Sequence, residues 1–160
     1  MLFMRRSALA VLSALFVGTP LSALAQAQAD TYYEFLLARR LEADGDVKGA
    51  RAALVRAAAA DPKSAEIRAE IAALHLRRNE RAEAEKAAKA ALALDEKNVE
   101  GNRVLGLLYA AAADASGEKA GPQAAANVRD AIIYLERAAE GTTVTADATL
   151  YYTLGRLYIP

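Results

Sequence analysis

The strongest constraint on the fold is a repeat of about thirty-four residues. Similar residues recur at this spacing inside segments with helical patterns: Leu37 and Ile71, Ala38 and Ala72, and Ala50 and Ala84. A fixed period of this length is typical of stacked helical units whose hydrophobic core forms between neighbours. The repeat therefore predicts an all-α solenoid of helix-turn-helix units. It indicates a binding scaffold but does not identify the partner.

The composition favours thin helices that pack closely around small residues. Of the 160 residues, 54% are hydrophobic but only 6% are aromatic, and there is no Trp. Such a core relies on Ala, with Leu, Ile and Tyr as the larger side chains, and this argues against a deep ligand cavity. The length suits one unit and leaves no room for two ordinary domains.

Charge and cysteine content argue against several classes of function. Lys and Arg total 20 and Asp and Glu total 20, so the formal net charge is zero. No basic block stands out beyond Arg77, Arg78 and Arg81, so nucleic acid is not an expected partner. The lack of Cys excludes disulfides and Cys-ligated metal, and it is compatible with an oxidising compartment.

The amino-terminal segment, residues 1–27, has the pattern of a secretory signal peptide. A basic start precedes an apolar run from Ala8 to Val17, and cleavage sites of the Ala-x-Ala type end at Ala25 and Ala27. The apolar run is shorter than the roughly 20 residues of a transmembrane helix. We therefore expect an exported protein, which in a bacterium would be periplasmic. The alternative is a membrane anchor formed by an uncleaved signal.

From Thr31 onward the chain divides into units of two predicted helices. Thr31 and Glu34 have the spacing of a capping box at the start of the first helix. Second helices are predicted over residues 47–60 and 81–94. The units cover residues 31–64, 65–98, a longer third unit 99–147 and a partial fourth unit 148–160.

The turn between the two helices of a unit is also repeated. Gly45 and Asn79 stand one period apart, and both residue types tolerate the left-handed conformation that ends a helix. Asp46 and Glu80 follow them and place a carboxylate at the positive end of the next helix. Both turns are therefore predicted to have the same geometry.

The third unit has an insertion between its helices. Ala131 lies forty-seven residues after Ala84, thirteen more than one period. Gly117, Gly121 and Pro122 within residues 112–127 predict a loop flanked by helix extensions. Such a loop either contacts a partner or is a tolerated surface insertion.

The repeated residues resemble the tetratricopeptide repeat family. That family has Leu-Gly-x-x-Tyr in the first helix, then Ala-x-x-x-Phe, a further Ala and Pro in and after the second. Residues 105–109 and 154–158 carry the Leu-Gly-x-x-Tyr pattern in full. The second pattern is present as Ala50, Leu54, Ala57 and Pro62; as Ala84, Ala88 and Ala91; and as Ala131, Leu135 and Ala138. The resemblance implies a right-handed α-solenoid; an alanine-rich helical bundle without true repeats is the alternative.

The resemblance also implies that the first helices line a concave groove for a protein or peptide. Transferring the family's groove positions gives Tyr32, Phe35, Arg39, Glu42, Ala69, Ala73, Leu76, Arg103, Leu107, Tyr152 and Arg156. Aromatic and Arg side chains are typical of peptide-binding surfaces. For Tyr32 and Phe35, packing beneath the amino-terminal segment is an equal alternative.

Terminal-carboxylate recognition is not expected in this groove. Some family members bind a partner's terminal carboxylate with Lys and Asn, but those positions hold Phe35, Arg39 and Glu70 here. An extended peptide or a helix is the expected ligand.

The sequence contains no recognisable catalytic, metal or cofactor site. His75 is the only His, and its alignment with Leu41 and Tyr109 indicates a packing role. Glycine-rich phosphate motifs are missing as well. We therefore expect a non-enzymatic scaffold without a cofactor. The alternative is a docking arm of a larger envelope enzyme, secretion component or transport component whose active part lies beyond residue 160.

The chain stops after the first helix of its fourth unit. Natural arrays usually close with a polar capping helix, so this chain resembles the amino-terminal part of a longer array. Alternatively, the apolar face of that helix is a docking surface. Self-association through the last helix is therefore a further hypothesis.

Overall fold

The computed structural model describes residues 21–115, 121–141 and 147–159, with only the backbone described for residues 21–25 and 27. Within these ranges the chain forms seven helices and no strand, which confirms the predicted all-α class. Among them, no helix combines the length and hydropathy of a membrane span. The helices are α1 Leu21–Ala43, α2 Val47–Ala60, α3 Ala65–Arg77, α4 Arg81–Leu92, α5 Val99–Asp114, α6 Pro122–Glu140 and α7 Ala148–Tyr158.

Helix α1 begins ten residues before its predicted start. It runs from Leu21 through Thr31, so the predicted capping box is wrong. The physical reason is composition, because no Gly or Pro interrupts residues 21–43 and Ala is the strongest helix former. Glu34 instead accepts hydrogen bonds of 2.8 and 2.7 Å from Arg56, which tie α1 to α2.

The predicted signal peptide lies mostly outside the described residues. Residues 1–20 belong to that undescribed part, whereas both predicted cleavage sites, after Ala25 and after Ala27, fall within α1. Cleavage at either site stays a prediction.

The two turns have the predicted geometry. Gly45 and Asn79 have positive φ values of 82° and 59°. In both turns the N–H of this residue donates to the carbonyl of the third residue before it. The N–H of the next residue donates to the carbonyl of the fifth residue before itself. All four bonds are 2.8 to 3.0 Å long. These are the bonds of a Schellman motif, which satisfies the last carbonyls of a helix. The left-handed conformation expected at both positions is confirmed.

The starts of α3 and α5 are capped in the same way, one period apart. The Ser64 hydroxyl accepts a hydrogen bond of 3.2 Å from the Ile67 N–H. The Asn98 side chain accepts one of 2.8 Å from the Gly101 N–H. Side-chain acceptors at these positions satisfy amides that a helix start leaves free.

The hydrophobic core lies between neighbouring units. One cluster joins Ala38 of α1 and Leu54 of α2 with Leu74 of α3. A second joins α3, α4 and α5, and a third joins α6 and α7. The pattern residues inside the second helices are all buried: Ala50, Leu54 and Ala57, then Ala84, Ala88 and Ala91, then Ala131, Leu135 and Ala138. Neighbouring units therefore share their cores.

Both helices of the third unit extend into the predicted insertion, residues 112–127. Helix α5 continues to Asp114 and α6 begins at Pro122, while residues 116–120 are not described. Proline at the first helical position is favourable because its missing N–H is unpaired there anyway. The insertion thus lengthens both helices to 16 and 19 residues. Helix α4, in contrast, ends at Leu92, two residues before its predicted end.

Candidate functional site

Two of the predicted groove residues belong to the core. Ala69 and Ala73 are each 1% exposed, and Ala73 packs with Val104 and Leu105 of α5. Neither presents surface to a partner, which corrects this part of the predicted groove. The reason is that α3 lies between α1 and α5, so its small side chains are covered.

Three charged residues of the predicted groove are held in ion pairs within the chain. Glu42 accepts two hydrogen bonds from Arg77, at 2.6 and 2.7 Å. Arg103 donates to Glu100 at 2.8 and 2.6 Å, and this hydrogen bonding raises the pKa of Arg103. The first pair joins α1 to α3, and the second lies within α5.

Arg156, in α7, is held in the same way. It donates to both carboxylate oxygens of Asp114 at 2.7 Å, which links α7 to α5. Four other predicted residues are either packed or exposed. Leu76 and Leu107 pack against core clusters. Arg39 and Tyr152 are exposed, and Arg39 has no ion-pair partner among the described residues.

Tyr32 and Phe35 lie together in an open cleft of about 610 Å³. Helix α1 places them on one face because they are three residues apart. Phe35 also packs against the first core cluster, whereas Tyr32 is 62% exposed. The cleft lies between α1, the end of α2 and the start of α3. Its lining residues are Gln28, Thr31, Tyr32, Phe35, Ala60, Asp61, Ser64, Glu66 and Ile67.

A second cleft of about 390 Å³ shares Phe35 and Glu66 with the first. It extends from α1 across the start of α3 to the start of α5. Its other lining residues are Glu70, Asp95, Lys97, Asn98, Val99 and Glu100. The two clefts therefore adjoin at Phe35 and follow the first helices of three successive units. We call them together the Phe35 clefts.

The rim of the Phe35 clefts is acidic. Five carboxylates line them, against a single Lys97: Asp61, Glu66, Glu70, Asp95 and Glu100. Glu100 is paired with Arg103, and Glu70 lies 3.3 Å from Arg77. Among the described residues, no cation lies within ion-pair distance of the other three carboxylates. Glu66 accepts a hydrogen bond of 3.0 Å from the Ser64 hydroxyl instead.

Sequence reasoning missed the acidic residues of this site. A signal was present, because Tyr32, Glu66 and Glu100 stand at the same place in three successive units. Asp61 and Asp95 likewise stand one period apart. An acidic residue therefore recurs at the start of the first helix in the second and third units. The transferred groove positions included Tyr32 at this place but not Glu66 or Glu100.

His75 has a structural position at the turn between α3 and α4. Its ring Nδ1 lies 2.6 Å from Glu80 Oε2, and its side chain is largely buried. The His75 hydrogen bond lowers the pKa of Glu80 against the opposing effect of burial, and Arg78 and Arg51 lower it further. In the described part of the chain, no group of three or more His, Asp and Glu side chains is arranged to hold a metal ion.

No protein-family model and no curated protein sequence matches this chain. Among solved structures, the chain is similar to the first TPR of Spaghetti (RPAP3) bound to HSP90 peptide SRMEEVD. The TM-score is 0.62 at 16% identity, covering 81% of this chain and 93% of that one. A likeness at this identity concerns the fold alone. The chain therefore has an all-helical fold similar to that of a tetratricopeptide repeat domain.

Proposed function

We propose that this chain is a non-enzymatic scaffold whose first helices form a groove for a peptide or protein segment. The observation that carries the proposal is the pair of adjoining clefts around Phe35, which follow α1, α3 and α5. The structural neighbour, a TPR domain bound to a peptide, supports the same class of ligand. In this proposal the units form a right-handed solenoid and the Phe35 clefts lie on its concave side.

The groove would act as a preformed surface. The Glu42–Arg77 pair joins α1 to α3. Arg103 of α5 pairs with Glu100 in the same helix and also lies 3.5 Å from Asp147 before α7. A surface that is ordered before binding loses less conformational entropy when the partner arrives. Affinity then depends on the fit of a few buried side chains rather than on total contact area.

The function is tested by a crosslinking pull-down with two matched variants. Tyr32→Ala removes an aromatic ring from the first cleft, whereas Tyr33→Ala removes one of equal exposure that lines neither cleft. The two rings are 62% and 63% exposed on the same helix. We expect Tyr32→Ala to lose the captured partner and Tyr33→Ala to keep it. Equal capture by both variants would contradict the groove.

The proposal places the protein in the periplasm, on the basis of the signal-like residues 1–27. Mass spectrometry of the protein recovered from its own cell tests this. A mature chain that begins at Gln26 or Gln28 supports export and cleavage. A full-length chain in the membrane fraction would instead support the uncleaved anchor.

Self-association through α7 is a second candidate, favoured by the exposed face of that helix. Tyr152 and Ile159 are 73% and 75% exposed, and Gly155 has open space beside it. A second copy of the chain could pack a helix there. Light scattering over a range of concentrations tests the idea, and a monomer at every concentration would count against it.

A further inference from the structure

We infer that the segment bound by the Phe35 clefts carries a large apolar side chain next to Lys or Arg. This inference rests on the proposed function, because it names the chemistry of the ligand for the same groove. It comes from two properties of the clefts, an apolar floor and an acidic rim.

The floor of the first cleft is apolar. Phe35, Ala60 and Ile67 line it together with the ring of Tyr32. Ile67 is buried and Phe35 is half-buried, so both are held in place by the core. Tyr32 is mostly exposed and lies at the edge of the cleft. A volume of about 610 Å³ leaves space for a large apolar side chain. An aliphatic or aromatic residue of the partner would therefore lose its contact with water here.

The rim supplies negative charge that the chain itself does not neutralise. Asp61 and Glu66 line the first cleft, and its lining includes no Lys or Arg. Asp95 lines the second cleft, where Lys97 is the only basic residue of the lining. Asp61 and Asp95 accept hydrogen bonds from backbone N–H groups, and these bonds leave their charge in place. A basic side chain that enters either cleft would meet two or more carboxylates. Complementary charge of this kind selects the partner and speeds association.

Glu66 and Glu100 also have an ordinary structural role. Each lies in the first turn of its helix, where a carboxylate interacts favourably with the helix dipole. Glu83 has the same role in α4 but lines neither cleft. A comparison of Glu66→Gln with Glu83→Gln therefore separates the effect on a ligand from the effect on a helix.

The charge of the neighbour's ligand is opposite to the charge inferred here. The peptide SRMEEVD contains three acidic residues and one Arg. An acidic rim would repel such a segment. The two chains can therefore share a fold and differ in the charge of the segments they bind.

The experiment is selection of random dodecamer peptides on the immobilised full chain, followed by affinity measurement on the enriched peptides. We expect the enriched sequences to combine Lys or Arg with a nearby aromatic or aliphatic residue. Glu66→Gln should weaken their binding by about two- to fivefold at low salt, with a smaller effect at high salt. Glu83→Gln should leave it unchanged, and Tyr32→Ala should weaken it about tenfold. Circular dichroism confirms that each variant keeps its helices.

Several outcomes would overturn the inference. Enrichment of acidic or uncharged peptides that still require Tyr32 would refute the basic ligand but keep the groove. Enriched peptides whose affinity is the same for the Tyr32→Ala variant would bind outside the Phe35 clefts. This result would refute both the inferred ligand and the proposed groove. If no peptide is enriched, the inference fails, whereas the pull-down decides the proposed function separately. A photocrosslinker at position 32 that reacts with residues 1–20 or with a second copy of the chain would show that the protein itself occupies the cleft. That result would also overturn the inference.

Discussion

Two copies of one motif have different surroundings in this protein. Leu-Gly-x-x-Tyr occurs in α5 with Gly106 and in α7 with Gly155. A methyl group added at Gly106 would lie 2.6 Å from Leu135 Cγ and 3.1 Å from the Leu135 backbone nitrogen. A methyl group added at Gly155 would meet nothing within 4 Å among the described residues. The glycine is required only where a second helix packs against it.

The same contrast extends to the rest of α7. Leu150 and Thr153 are buried toward the preceding helices, and Leu150 packs with Leu135 and Ala138. Tyr152, in contrast, is exposed, as is Ile159 directly after the helix. Helix α5 is packed on several sides by α3, α4 and α6, whereas the described chain covers α7 on one side only. Because stability in a repeat array comes from contacts between neighbours, α7 should be held more weakly than α5.

The largest loss of stability should come from Leu135→Ala, which removes most of the side chain that packs against Gly106. Leu135 is fully buried, so we expect a loss of about 2–5 kcal/mol of unfolding free energy from lost burial and the resulting cavity. Leu157→Ala in α7 is the matched change and should cost clearly less, because Leu157 is only partly buried. Urea denaturation followed by circular dichroism measures both. Equal losses would show that Leu157 in α7 contributes as much packing as Leu135 in α6.

Gly106→Ala against Gly155→Ala tests the comparison directly. At Gly106 the new methyl group must displace Leu135 and α6, so we expect a loss of roughly 1–3 kcal/mol. At Gly155 the same change should stabilise the exposed helix by up to about 1 kcal/mol, since Ala is the better helix former. Thermal and urea unfolding give the sign of each change. A destabilising Gly155→Ala would mean that something already occupies the space beside α7.

Removing the link between α7 and α5 should have a smaller effect. Arg156→Gln removes the two hydrogen bonds to Asp114, and both side chains are substantially exposed. We therefore expect a loss of at most about 1 kcal/mol. Hydrogen exchange should show the loss in the amides of α7, while those of α5 and α6 keep their protection. Uniform loss of protection would show that α7 unfolds together with the whole chain.

Acid should weaken the same link. The hydrogen bonds from Arg156 hold the pKa of Asp114 below its ordinary value of 3.8. A carboxylate with a lowered pKa in the folded state stabilises that state above its ordinary pKa and loses this contribution as the pH falls through the folded value. The protection of the α7 amides, corrected for the intrinsic pH dependence of exchange, should therefore fall below pH 3.8 relative to pH 6. In Arg156→Gln this extra loss of protection should be absent.

Local features of the fold could be read from the sequence. The left-handed positions of Gly45 and Asn79 depend only on their own residue types and on hydrogen bonds within five residues. The buried small residues of the second helices follow from the helical period. The start of α1 could not be read in the same way, because Thr31 suits a helix start but also tolerates a helix interior.

The candidate site was only partly predictable. Tyr32 and Phe35 were predicted and do share a cleft, whereas Glu66, Glu70 and Asp95 were not predicted. Family groove positions describe an average surface. They take no account of how a particular side chain is covered or which cations lie near it. Ala69 illustrates the limit, since its position on a first helix did not reveal its burial.

Apart from the start of α1, the sequence by itself determined the helices, the turns between them and the alanines at their contacts, because each of these depends on periodicity and on neighbours along the chain. Only the tertiary structure decided which of two identical motifs has a helix packed against its glycine. It also decided that carboxylates from three units gather around Phe35. Both facts depend on how distant helices pack in space, and a pattern within one unit contains no information about that arrangement.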